Sequence, residues 1–332
     1  MPSDTAKKRR EGPVTVGFDL GGTKMLALVL DRNYEVLGSA KAKSEGHKGA
    51  HVGLGRMREV IVEAMEDARC ELEQIEGIGV GCPGLVDTRA GVLVDAQNLG
   101  WKDLPLGEAL GERFGCPVVV LNDVDAGTYG EYTHGAGKGS RSLLGVFPGT
   151  GVGGGFVYDG RLVVGKRYSC MELGNLVMGA GGLMGDEDGA VVLEDLCSRL
   201  AVASAATMAA YRGQAPTVLE GAGFDLSKVK SKVLARAAES DDEVGKILGR
   251  AVRYLAMGVA SVMNLLAPDR IVLGGGLVEE IPEYFVKRLK REIKRYTMAS
   301  LMEDVVIVPA TLGSRAVGVG AVSYLKGAGR VE

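Results

Sequence analysis

Two glycine-rich loops recur about 130 residues apart, each between apolar runs of strand length, and nothing else in the chain constrains its fold as strongly. The first is Asp19-Leu-Gly-Gly-Thr-Lys24, between the apolar runs 14–18 and 25–30. The second is Gly149-Thr-Gly-Val-Gly-Gly-Gly155, between 143–147 and 156–158. The turn Asp159-Gly160 and another apolar run, 162–164, come next. Each unit reads as strand, glycine loop, strand, turn, strand. Glycine lets backbone N–H groups approach an anion closely, as phosphate-cradling loops require. Two such loops predict two similar α/β half-domains gripping a nucleotide phosphate chain.

A length of 332 residues fits two domains, and 46% apolar with 24% charged residues allows a large packed core. The 51 glycines, roughly twice the usual share, are clustered, which points to constrained loops rather than disorder. A net charge of −3 creates no general attraction for nucleic acid or an anionic membrane. No apolar run approaches the ~18 residues of a membrane span. Residues 1–13 include Lys7-Lys8-Arg9-Arg10 but no apolar stretch, so they read as a disordered, solvated leader and not as a signal peptide. The five cysteines are scattered, odd in number and without a C-x-x-C pair, as expected of reduced thiols in the cytoplasm. The three histidines show no metal-ligand spacing.

Between and after the loops, strands alternate with helices, the pattern of an α/β architecture. Helical spacing runs over 54–72, with strands over 36–43 and 75–80 on either side. A helix over 105–114 precedes a buried strand over 116–121, whose C-terminal end delivers Asn122 and Asp123. In the second half, helices are expected over 194–211, 226–239, 244–266 and 281–296. Strands are expected over 270–273, running into Gly274-Gly-Gly276, and over 305–308, with a small-residue helix over 314–325. No Pro- or Ser-rich linker separates the halves.

Several positions carry chemistry. Asp19 ends a strand just before the first loop, where a carboxylate can hold Mg²⁺ beside phosphates. Gly21, Gly22 and Thr23 offer N–H and hydroxyl donors; a plain hairpin turn is the alternative. The second loop matches G-x-G-x-x-G, but a strand follows it where a dinucleotide site needs a helix. Asp123 can take a proton from a substrate hydroxyl or cap a helix, and spacing leaves both open.

In combination these segments resemble the ROK family, the group of repressors and sugar kinases that includes bacterial glucokinases. The matching segments are the two glycine loops, Gly79-Val-Gly-Cys-Pro-Gly84, Asn98-Leu-Gly-Trp101, Asn122-Asp123-Val124, Glu172-Leu-Gly174 and Gly274-Gly-Gly276, and the likeness covers about residues 14–325. The resemblance implies an actin/hexokinase-like (ribonuclease H-like) fold of two α/β domains around a cleft. It divides the chain into 14–122 plus 313–326 and 123–312. It implies phosphoryl transfer from Mg·ATP to a hexose, glucose first, at the 6-hydroxyl, with Asp123 as general base. Asn98, Asn122, Glu172, Asn175 and Glu194 would bind the sugar. Asp19, Gly21, Gly22, Thr23, Lys24, Gly149, Thr150 and Gly151 would hold phosphates and Mg²⁺, and Gly274, Gly275 and Gly276 would lie near the adenosine. A cytoplasmic homodimer is expected, with no nucleic-acid or membrane partner.

The chain departs from the pattern at one place. Many members carry a zinc site built from a histidine after E-x-G and a C-x-C-G-x-x-G-C segment. Here Asn175 stands at the histidine position, and residues 179–193 contain no cysteine. No zinc is expected, and Asp186, Glu187 and Asp188 are expected to help hold that loop instead. Hexose selectivity is open to change at Asn175. Other acceptors (another hexose, an N-acetylhexosamine), polyphosphate as donor, and a non-catalytic sugar-responsive regulator are the alternatives.

Overall fold

The structure, a computed structural model, describes residues 10–180 and 189–328. Strands β1 (Val14–Leu20), β2 (Lys24–Leu30) and β3 (Val36–Lys43) form an antiparallel meander. Helix α1 (Ala50–Ala68) leads to β4 (Ile75–Cys82), parallel to β1. A small antiparallel sheet of β5 (Leu85–Asp87), β6 (Val92–Ala96) and β7 (Trp101–Leu104) follows. Then come α2 (Leu106–Phe114), β8 (Val118–Asn122), parallel to β4, and α3 (Asp123–His134). The second half opens on β9 (Ser142–Pro148) and β10 (Val152–Tyr158), an antiparallel pair, then the two-residue β11 (Arg161–Leu162). Strands β12 (Val177–Ala180) and β13 (Ala190–Val192) pair antiparallel. Five helices follow: α4 (Leu193–Cys197), α5 (Arg199–Tyr211), α6 (Pro216–Ala222), α7 (Ser231–Ser240) and α8 (Asp242–Leu266). Strand β14 (Arg270–Leu273), α9 (Gly276–Glu280), α10 (Pro282–Ile293), β15 (Val306–Pro309) and α11 (Ala316–Ser323) complete the chain.

Contacts divide the chain into two compact units. One holds the chain up to His134, Gly160–Cys170 and everything from Ser314 on; the other holds Gly135–Asp159 and Met171–Gly313. Within the first, the sheet order is β3-β2-β1-β4-β8. Within the second, the order β10-β9-β14-β15 repeats the same plan: an antiparallel hairpin followed by two parallel strands. The duplicated glycine loops are thus the two hairpin turns of a duplicated sheet.

The expected border at residue 123 falls inside the first unit. Helix α3 packs on α11 backbone to backbone: a Cβ on Gly320 would overlap the Ala126 carbonyl, and one on Gly130 would overlap the Ala316 carbonyl. Such close approach keeps α3 with the first unit. That unit's core joins the inner sheet positions Val16, Phe18 and Val80 to Met57, Ile61, Ala64 and Met65 of α1. In the second unit α8 is the hub, packed against α4, α5, α7 and α10, with Leu248, Val252, Leu255, Val259 and Met263 buried.

Other expectations change in detail. The helix over 194–211 is two helices, because Ser198 is extended (φ −64, ψ 161) and caps α5 by accepting from the Ala201 N–H. The segment 226–239 is a short 3-10 turn, Leu226–Lys228, and then α7. Gly153, Gly154 and Gly155 lie in β10, not in the loop. Gly154 must lack a side chain there, since a Cβ would stand 2.6 Å from the Met171 carbonyl. The sheet β5-β6-β7 has no counterpart in the sequence reading. Residues 1–9 of the leader, and Asp186, Glu187 and Asp188, lie outside the described residues.

Candidate functional site

In the first unit the site is made by the C-terminal ends of parallel strands, where ligands gather in open α/β sheets. Asp19 is the penultimate residue of β1 and pairs with Gly81 of β4, which pairs in turn with Leu121 of β8. Asp19 and the β8 end are therefore two strand spacings apart, about 10 Å, with a glycine between them. A Cβ on Gly81 would already touch the Asp123 Cα at 3.4 Å. Glycine is needed there because a Cβ would collide with the Val317 side chain of α11 and crowd Ala126 of α3, so it seats both helices against the sheet. Burial, then the charge of Asp123, raises the Asp19 pKa from 3.8 to about 7. The fully buried Cys82 thiol is pushed up by burial and again by Asp123.

The cap of α3 is Asn122, not Asp123. Asn122 Oδ1 accepts from the Val124 and Asp125 N–H groups at 2.8 and 3.1 Å, and its amide donates to the Gly84 carbonyl at 3.1 Å. That leaves Asn122 one amide N–H for a ligand. Asp123 opens the helix and accepts from the Val124 N–H at 2.9 Å. The Val124 N–H is thus shared between the Asn122 cap and the Asp123 carboxylate.

The first glycine loop is pinned by a residue the sequence reading overlooked. The Ser44 hydroxyl donates to the Gly21 carbonyl, and the Ser44 N–H donates to the Thr23 carbonyl at 3.0 Å. The Gly21 N–H is spent on the Lys24 carbonyl at 2.9 Å. Among the described residues, Gly22 and Thr23 remain the loop's open backbone donors, and Lys24 begins β2, paired with Lys43. Asn98 lies beside the loop, its Cβ 3.5 Å from where a Cβ on Gly22 would be. The turn carrying Asn98 is anchored by Trp101, whose indole N–H donates to the Gly46 carbonyl at 3.0 Å.

In the second unit the loop Gly149, Thr150 and Gly151 is closed by the Gly149 N–H on the Gly151 carbonyl at 2.8 Å. Glu194 sits behind it. Its Oε2 accepts from the Val152 N–H at 3.2 Å, and a Cβ on Gly151 would collide with that oxygen. On the other side a Cβ on Gly174 would meet the Val152 carbonyl at 2.5 Å and the same carboxylate oxygen at 3.0 Å. Glu172 is exposed as a residue, yet its carboxyl stands in partly desolvated ground beside Glu194, and both raise its pKa. Asn175 ends the short turn after Glu172 and donates its N–H to the Glu172 carbonyl at 3.0 Å. Gly274 and Gly275 pack against Phe147 and Pro148, at the end of the strand before the loop; Gly275 needs its positive φ of 89° to do so. The structure thus gathers Asp19, Gly22, Asn98, Asn122 and Asp123 at one sheet's loops, and Gly149, Thr150, Gly151, Glu172, Asn175, Glu194, Gly274, Gly275 and Gly276 at the other's. Among the described residues, no group of three or more His, Cys, Asp or Glu side chains could hold a metal ion. No described helix is long and apolar enough to cross a membrane.

Known proteins share this pattern. The model of the ROK family matches residues 15–328. A glucokinase from Streptomyces coelicolor is 30% identical over 312 residues, 93% of this chain and 96% of its own. The crystal structure of a ROK family glucokinase from Streptomyces griseus, in complex with glucose and AMPPNP, superposes with a TM-score of 0.81 at 26% identity, covering 94% of this chain and 98% of that one. A ROK hexokinase from Thermus thermophilus gives 0.75 at 31% identity over the same shares. The fold is accordingly the actin/hexokinase-like one.

Proposed function

The chain belongs to the ROK family, and from that premise we propose that it is an ATP-dependent kinase that phosphorylates a hexose, glucose first, at the 6-hydroxyl. One observation carries the reading: Asp19 and Asp123 stand at the C-terminal ends of two parallel strands with β4 between them, and after burial the charge of Asp123 adds to the raised pKa of Asp19. A pair of this kind suits phosphoryl transfer, which needs a base for the acceptor and a place to neutralise phosphate charge.

In the proposed mechanism the Asp123 carboxylate accepts the proton of the sugar hydroxyl as that oxygen bonds to the γ-phosphorus. The bond to the β-phosphate oxygen breaks, and ADP leaves with the electron pair. Asp19 fits a magnesium site: a hard oxygen donor whose proton is held near pH 7 partly by a like charge, a repulsion that a cation relieves. Mg²⁺ bound there would neutralise phosphate charge. The open amides of Gly22 and Thr23, and the loop of Gly149, Thr150 and Gly151, are assigned to the phosphates. Gly274, Gly275 and Gly276 are assigned to the adenosine. Asn98, Asn122, Glu172, Asn175 and Glu194 are assigned to the sugar, whose hydroxyls match amide and carboxylate acceptors and donors.

A different hexose or an N-acetylhexosamine is the second reading, favoured by Asn175 in place of the family histidine. ADP release with Mg·ATP across a panel of hexoses and N-acetylhexosamines tests both. Turnover with glucose at the highest kcat/KM supports the first reading; a clear preference for another sugar replaces it. No turnover with any sugar, while sugar still binds, would leave a sugar-responsive regulator.

A further inference from the structure

Arg199 is the first residue of α5, and two kinds of contact tie it to the second glycine loop. Its backbone N–H donates to the Gly149 carbonyl at 2.9 Å, and its guanidinium Nη2 reaches Thr150 Oγ1 at 3.5 Å. The other terminal nitrogen reaches the Val229 carbonyl, also at 3.5 Å. Two residues past Val229, Ser231 Oγ lies 3.1 Å from where a Cβ on Gly276 would be. The guanidinium therefore spans the gap from the loop after β9 toward the segment abutting the glycine run after β14. Both of its hydrogen bonds are long and go to neutral oxygens. No carboxylate among the described residues forms an ion pair with it. A half-buried, permanently charged fork with most of its five N–H donors unspent is poised for an anion.

We propose that Arg199 binds the α- and β-phosphates of the donor, forming a nucleoside-diphosphate subsite in the second unit. The assignment rests on the kinase reading above. Guanidinium and phosphate match in planar, two-pronged geometry, and charge-assisted hydrogen bonds of this kind are short and strong. The position between the phosphate loop and the glycine run assigned to adenosine selects phosphates that are attached to a nucleoside. Nothing in the sequence pattern marks Arg199: it follows a serine cap inside what reads as one continuous helix.

The test is steady-state kinetics with Mg·ATP and the accepted hexose on the wild type, Arg199→Ala, Arg199→Gln and Arg199→Lys. The Ala and Gln variants are expected to raise the KM for ATP about ten- to hundred-fold, the range of a charge-assisted hydrogen bond, and Arg199→Lys less. The KM for the hexose and inhibition by adenosine, which carries no phosphate, should not change. Should the Ala variant fail to fold, Arg199→Gln, which keeps part of the aliphatic stem and a neutral hydrogen-bond donor, carries the test. An unchanged KM for ATP overturns the assignment. So does an equal weakening of adenosine inhibition, which would mark a purely structural role. A wild-type chain inert with every hexose sinks the kinase reading and this assignment with it; an active wild type with indifferent variants sinks this assignment alone.

Discussion

Asp19 and Asp123 illustrate how much a single carboxylate's surroundings decide. In the folded, ligand-free chain Asp19 holds its proton up to about pH 7, because burial and then Asp123 disfavour the charge. In the unfolded chain it ionises near 3.8. Between those values the folded state binds a proton that the unfolded state releases, so this stability contribution is full below 3.8 and is lost as pH rises through about 7. Asp19→Asn, measured by thermal melts without metal or nucleotide, is therefore expected to match the wild type at pH 4. It should exceed the wild type at pH 8, by about 2–4 °C per kcal/mol of charge burial relieved; an equal offset at both pH values would refute the cause. For Asp123 the expectation is kinetic. Asp123→Asn should lower kcat by on the order of 10²–10⁴, the share of a general base, with hexose binding by calorimetry kept. Retained turnover would remove Asp123 from the role.

At the scale of elements, the contact between α3 and α11 bears most on the site, because α3 carries Asp123 at its first residue. Both helices present small residues so that their backbones meet, and a Cβ on Gly320 would overlap the Ala126 carbonyl. Gly320→Ala is expected to cost about 3 kcal/mol or more, since neither backbone can yield without moving its helix. The readout is the urea midpoint, and a variant as stable as the wild type would show that the helices can separate at no cost. The same small-residue spacing in the sequence reads only as a packed helix over 314–325. The partner, α3, lies far upstream, with Ala126 standing 194 residues before Gly320, and no local pattern points to it.

For the whole molecule, the two units carry separate cores, and the only tryptophan, Trp101, lies in the first. Equilibrium unfolding is expected to depart from two-state behaviour, with the Trp101 fluorescence midpoint differing from that of far-UV circular dichroism, which reports both units. Coincident curves would mean that the units unfold as one. Much of this scale was legible beforehand. The glycine loops marked the two hairpins, and the run before Asn122 marked the strand that delivers Asp123. The sheet β5-β6-β7 was not legible: its strands are three to five residues long and interrupted by turns, too short for a period of two to register. Ser44 and Arg199 were equally silent, because each acts on a loop far away in sequence.

The sequence by itself determined the residue types at each strand end, the duplicated plan and the family, since period, glycine spacing and motif order are local properties of the chain. Only the tertiary structure decided that Asn122 takes the helix cap beside Asp123, that Gly81 makes room for Val317 of α11 and Ala126 of α3, and that Gly21's amide is spent within its own turn. Those outcomes depend on register across strands and on which backbone groups find partners, and register and partners exist only once distant segments are packed together.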